Sequence, residues 1–134
     1  MNTFPGTVTH IESNGQLSLV DIAIPGGSLT ATLLEAPGTA AYLNIGAQVM
    51  VMFKPTEVSL AKQLQGMISL RNRLPCSVIA IERGALLAAV TLAYANTTLQ
   101  SVITSRAVDA LQLRVGDQVE ALIKANEVVL GAAA

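Results

Sequence analysis

The chain is written twice. Laid over itself at a constant offset of 70, Phe4 to Ala61 against Leu74 to Gly131, it shows 17 identities in 58 gapless pairs. They run the whole length and include Val8/Val78, Ile11/Ile81, Glu12/Glu82, Val20/Val90, Leu29/Leu99, Leu43/Leu113, Gly46/Gly116, Lys54/Lys124, Glu57/Glu127 and Leu60/Leu130. A repeat of this kind constrains the fold more than any composition does: the chain must build one small unit two times, and a site made by one copy has a counterpart in the other. The expected division is 1–61 for the first unit, 62–67 for a linker and 68–134 for the second.

Units of this size bury little. Hydrophobic residues make up 51% of the chain and charged residues 13%, more apolar surface than two isolated small units can cover. Packing between units, and between copies of the chain, is the expected remedy.

Within each copy the pattern is strand-like. Thr7 to Ile11 and Ser77 to Ile81 are short and β-branched, and both lead into a turn. Leu17 to Ile24 and Leu87 to Tyr94 follow, each forming a hairpin with the next strand, Leu29 to Leu34 or Leu99 to Thr104. The period then changes. Ala107, Val108 and Leu111 share a helical face, with Thr104 or Ser105 as N-cap, and the counterpart Ala36 to Leu43 has Pro37 near a helix start. Gln48 to Phe53 and Gln118 to Ile123 resume the alternation, and Glu57 to Leu60 and Glu127 to Leu130 end each copy. Five strands and one helical turn predict a mostly β fold of two tandem OB-like small barrels, each with one short helix. Met67 to Leu74 reads as a further strand carrying polar residues.

The chemistry starts from exclusions. Histidine occurs once, at His10, where the other copy has Ala80. One histidine, one cysteine and no carboxylate cluster give no cation-binding signature. No phosphate-cradling glycine loop and no G-x-S-x-G elbow is present. The reading is of a binding protein, not an enzyme, with no cofactor. Eight basic against nine acidic residues, and only four aromatics, give no footprint for nucleic acid. A lone Cys76 fits a buried thiol in a reducing compartment. No apolar run reaches the roughly 18 residues that span a bilayer, and the start lacks a signal-peptide pattern. The expectation is a cytoplasmic protein without membrane contact.

What remains is a set of hydrogen-bond donors in apolar surroundings. Lys54 and Lys124 close equivalent apolar strands, Val51-Met52-Phe53-Lys54 and Ala121-Leu122-Ile123-Lys124. A lysine there either snorkels to solvent or offers its ammonium to an anion. Ser69 and Arg71, in a strand, would share a face and present a hydroxyl and a guanidinium together; a plain surface strand explains them equally well. Thr104 and Ser105 add hydroxyls at a helix start, as a cap or toward an anion. Lysine, arginine, hydroxyls and amides without a carboxylate form a donor-only inventory suited to a tetrahedral oxyanion.

The same residues carry a family resemblance. Ile68-Ser69-Leu70-Arg71-Asn72-Arg73-Leu74 resembles the I-S-A-R-N-x-L opening of the Mop, or molbindin, modules, which belong with the transport-associated OB-like domains. Leu122-Ile123-Lys124-Ala125 is similar to their V-I-K-A/S segment, and Val102 to Val108 with Leu111 to Gly116 to the stretch between. The first copy departs from the pattern: Met1 and Asn2 stand opposite Arg71 and Asn72, Leu34 replaces Thr104, and Lys54 is what carries over. Its Phe53 to Val58 segment looks more like the C-terminal module of a molybdate-transporter ATPase.

The resemblance implies a store or buffer for molybdate, or for tungstate. Its sites would be formed by Ser69, Leu70, Arg71, Asn72, Thr104, Lys124, Ala125 and Lys54, the Ser-x-Arg-Asn strand of one module meeting the lysine segment of another. It also implies a homo-oligomer, with a trimer favoured. The alternative it leaves open is the ligand-sensing part of a molybdate-responsive regulator or transporter ATPase.

Overall fold

The structure, a computed structural model, describes residues 1–34 and 42–133. It contains ten strands: β1 (Asn2–Asn14), β2 (Leu17–Ile24), β3 (Gly27–Leu33), β4 (Gln48–Phe53), β5 (Ser59–Ala61), β6 (Asn72–Arg83), β7 (Leu87–Tyr94), β8 (Thr97–Thr104), β9 (Gln118–Ile123) and β10 (Val129–Ala132). One short helix, α1 (Ser105–Ala110), follows β8, and 3-10 turns at Pro55–Glu57 and Ala125–Glu127 follow the two lysines. The expected mostly β architecture of two repeated units is the one observed. The helix expected over Ala36 to Leu43 falls largely on residues 35–41, outside the described residues.

The strands form two five-stranded antiparallel sheets, in the orders β10-β4-β1-β2-β3 and β5-β9-β6-β7-β8. The last strand of each repeat therefore sits in the other repeat's sheet. Leu130 pairs with Val51 of β4, and Leu60 pairs with Ala121 of β9. Each sheet is completed at one edge by the opposite copy.

Both long strands bend at the same place, where the register shifts between Val8 and His10 and between Val78 and Ala80. Bulges of this kind increase twist and let one strand serve two partners. β1 pairs with β4 from Asn2 to Thr7 and with β2 from Thr7 onward, across the bulge; β6 divides in the same way between β9 and β7, with Ser77 pairing on both sides. The Leu-x-x-Gly turn closes onto each bend. Gly46 donates to the Val8 carbonyl and Gly116 to the Val78 carbonyl, both at 2.8 Å. Their φ values of +89° and +97° are of the kind glycine adopts without a steric penalty, which explains its retention at both turns.

The core is continuous across the units. Alternate residues of every strand point inward: Val20, Ile22, Ala31, Val51 and Phe53 in one sheet and Val90, Leu92, Ala121 and Ile123 in the other are fully buried. Phe4 stacks on Phe53 at 5.8 Å and meets the edge of Tyr94, from the second copy, at 5.7 Å. Cys76 is buried, as expected, and burial pushes its thiol up to about 11. His10 lies exposed on β1.

One expectation fails. Met67 to Arg71 is irregular, and β6 starts only at Asn72. The cause is the missing neighbour: β9 ends at Ile123, the partner of Asn72, and its chain turns away into the Ala125–Glu127 turn. Without a ladder to join, Ser69 and Arg71 do not have the alternating geometry of a strand.

Candidate oxyanion site

Two equivalent corners result from the register. The ladder between β6 and β9 ends on the pair Asn72 and Ile123, so Arg71 and Lys124 are the next residues outward on the two chains. The ladder between β1 and β4 ends on Asn2 and Phe53, which brings Met1 beside Lys54. Lys54, Lys124, Ser69 and Arg71 are all exposed, and Leu70 is half-buried. By register, Arg71 is thus the residue next to Lys124 of its own module, with Leu70 and Ser69 preceding it in an irregular stretch.

Neither lysine nor Arg71 joins an ion pair among the described residues, whose salt bridges are Lys62–Asp117, Arg73–Glu120 and Arg83–Asp109. Arg71 makes only a long contact, 3.4 Å, to the Ile68 carbonyl. Its guanidinium retains most of its donors for a ligand. Ala125 is the first residue of its 3-10 turn, whose earliest internal bond is from Glu127 N–H to the Lys124 carbonyl at 2.9 Å. At the corresponding place the first copy has Pro55, which has no N–H.

Asn72 belongs elsewhere. It is buried, its amide nitrogen donates to the Thr30 carbonyl at 2.9 Å, and its amide oxygen accepts from Thr30 N–H at 2.7 Å. Asn2 does the same with Gln100, both bonds at 2.8 Å. Since Thr30 and Gln100 are themselves related by the offset of 70, the two asparagines form a reciprocal clasp between the copies. Ser101 adds a buried bond from its hydroxyl to the Val58 carbonyl, 2.7 Å, where the first copy has Ala31. The retained asparagine at offset 70 was the available signal for the clasp. Its partners contribute only backbone, so no side-chain pattern marks them.

Thr104 is distant from Lys124. It caps α1, accepting from Ala107 N–H at 3.1 Å, and pairs with Leu87 at the hairpin end of the second sheet. That end contains Arg83, eleven residue steps along β6 from Asn72, or roughly 35 Å of strand path at about 3.3 Å per residue. A cavity of about 320 Å³ opens there, lined by Arg83, Leu86, Leu87, Thr104, Ser105 and Arg106 among others. The hairpin ends are also where leucines are left exposed: Leu17 and its counterpart Leu87, with Leu86 beside it. Of the residues singled out from the sequence, the register of one chain sets Arg71 next to Lys124 and the Ala125 that follows it, while Ser69 and Leu70 precede Arg71 in the irregular stretch. It separates Thr104 from them, and it holds Lys54 at the other corner.

The chain matches the TOBE domain family model twice, over residues 1–60 and 68–130. The molybdenum-pterin-binding protein MopA of Rhodobacter capsulatus is 35% identical over 132 residues, 96% of this chain and 50% of that protein. The molybdenum transport protein ModE of Herbaspirillum seropedicae is 29% identical over 132 residues, 96% of this chain and 49% of that one. The chain spans about half the length of these relatives. A crystal structure of the cytoplasmic molybdate-binding protein ModG with molybdate bound superposes with a TM-score of 0.92 at 36% identity, covering 98% of this chain and 96% of that one.

Proposed function

Since the chain belongs to the TOBE domain family, as a Mop/molbindin-type protein with two modules, we propose that it binds molybdate or tungstate and holds the oxyanion as a cytoplasmic store or buffer. The observation that carries this reading is the second corner. There the register sets Arg71 beside Lys124, a guanidinium and an ammonium that no carboxylate neutralises among the described residues, and the Ala125 amide and the Ser69 hydroxyl would add further donors. Charge-assisted donors of this kind are the strong partners of an oxyanion. The molybdate-bound ModG structure supports the choice of ligand.

A second chain completes the site. Thr104 lies at the far end of β6, so its hydroxyl reaches an anion at Lys124 only from another copy. The exposed leucines beside Thr104 give that copy an apolar surface to bury. A trimer, with six modules, satisfies both needs.

Titration calorimetry with molybdate, tungstate and sulfate tests the reading. Heat is expected from the first two. Sulfate, equal in charge and shape but smaller, is expected to bind at least about ten-fold more weakly, a difference of about 1.4 kcal/mol. Flat thermograms for molybdate and tungstate would reject it, and light scattering that finds only monomers would reject the shared site.

A further inference from the structure

The two lysine corners are not equivalent. At the first, the Glu57 carboxylate turns back and accepts a hydrogen bond from the Lys54 N–H at 2.9 Å. A carboxylate and a lysine are thereby fixed on the same turn, and the backbone donor is consumed. Pro55 removes the next N–H. The residue opposite is Met1, 68% exposed, where the second corner has Arg71. Leu34, 83% exposed, stands where the second copy has Thr104. At the second corner Glu127 occupies the position of Glu57 but makes no such bond to Lys124 among the described residues.

Net charge points the same way. Residues 1–61 contain one basic residue, Lys54, against four acidic ones, Glu12, Asp21, Glu35 and Glu57, a net −3. Residues 62–134 contain seven basic and five acidic residues, a net +2. A chain that is almost neutral overall is thus divided into an anion-repelling half and an anion-attracting half.

We propose that Glu57 and Pro55 close the first corner to oxyanions, so that the protein binds one anion per chain, in a single class of site at the second corner. This rests on the oxyanion reading above and goes further by assigning the first module a scaffolding role. It completes the second sheet through β5 and clasps it through Asn2, but holds no ligand of its own.

Equilibrium dialysis of the protein, residues 1–134, against molybdate, with the metal measured in both compartments, tests this. Saturation is expected at one molybdate per chain, and Lys124→Ala is expected to weaken binding at least ten-fold at every site rather than at half of them. Lys124 is exposed, and circular dichroism of the variant checks that the fold is intact. Saturation at two per chain, falling to one in Lys124→Ala, would overturn the closure of the first corner while leaving the oxyanion reading standing. One molybdate per chain that persists in Lys124→Ala would overturn the placement. No binding by the unaltered protein would overturn both.

Discussion

Two asparagines act as backbone mimics. A side-chain amide sets an N–H donor and a C=O acceptor at the spacing of a peptide group, and Asn2 and Asn72 each use both to pair with a residue in the other copy, Gln100 and Thr30. Truncating Asn72 to alanine removes two bonds and takes the partners from the half-buried N–H and C=O of Thr30. A net bond is worth about 1 kcal/mol, so Asn72→Ala is expected to lose about 2 kcal/mol in urea denaturation, and Asn2→Ala less, because Gln100 is exposed and water can take the place of the amide. A loss below about 0.5 kcal/mol would mean that solvent replaces the clasp. Of the residues singled out for the site, Asn72 is one whose side chain is committed to the protein's own backbone. Its position in a Ser-x-Arg-Asn segment suggested a ligand, whereas its burial and its bonding to backbone belong to assembly. Lys54 and Lys124 stood out in the sequence because a cation retained at the end of an apolar strand in both copies is unusual by pattern, whereas Arg71, with Met1 opposite, was marked only by the family resemblance. The distance between Thr104 and Lys124 was not legible, since sequence adjacency to a helix says nothing about which end of a barrel the helix closes.

At the scale of elements, alternation of apolar and polar residues located β2, β4, β7 and β9 to the residue, because one face of each lies on the core while the other is more open, except at the buried end of β9, Ala121 to Ile123. β1 and β6 extend well beyond their β-branched centres. Their ends are held by partners distant in sequence, which local pattern does not encode. The exchange of β5 and β10 was invisible for a related reason. Ser59–Ala61 and Val129–Ala132 are equivalent under the repeat, so either would fit beside β4 or β9, and only the path of the intervening chain decides. This has a consequence for the isolated second unit. A protein of residues 62–134 would lack β5, leaving the edge of β9 unpaired, while its own β10 would have no β4 to join. Two copies solve both deficits by placing each β10 against the other's β9, a reciprocal swap of the kind that makes dimers at low cost. Light scattering is expected to find this fragment as a folded dimer that unfolds at a concentration-dependent midpoint. A stable folded monomer would show that each unit can close on its own strand.

Among the described residues, the fixed charge pairs lie in and around one half of the molecule. Arg83 holds Asp109 with two bonds, 2.6 and 2.8 Å, Arg73 holds Glu120 with two, 2.8 and 2.6 Å, and Lys62 of the linker reaches Asp117 at 2.9 Å. In each case hydrogen bonding to the cation lowers the carboxyl's affinity for protons below its usual range, and at Asp117 the Arg114 N–H contributes as well. Groups depressed in the folded state contribute stability above the ordinary carboxylate pKa of about 4, and that contribution is lost as pH falls through the folded values, because the unfolded chain takes up its protons first. The arginine partners stay charged throughout, so the effect lies only on the acid side. Exposed pairs of this kind are individually weak and screened by salt. The double variant Asp109→Asn, Glu120→Gln is therefore expected to melt a few degrees below the unaltered protein near neutral pH. The two curves should converge as the pH is lowered to about 2, and the gap at neutral pH should narrow in high salt. Since β5 and β10 tie each sheet to the other, both proteins are expected to melt in one transition even though the pairs lie in the second half. A gap in Tm that stays constant down to pH 2 would show that the substitutions act through packing and not through charge. Two separate transitions would show that the exchanged strands do not couple the units.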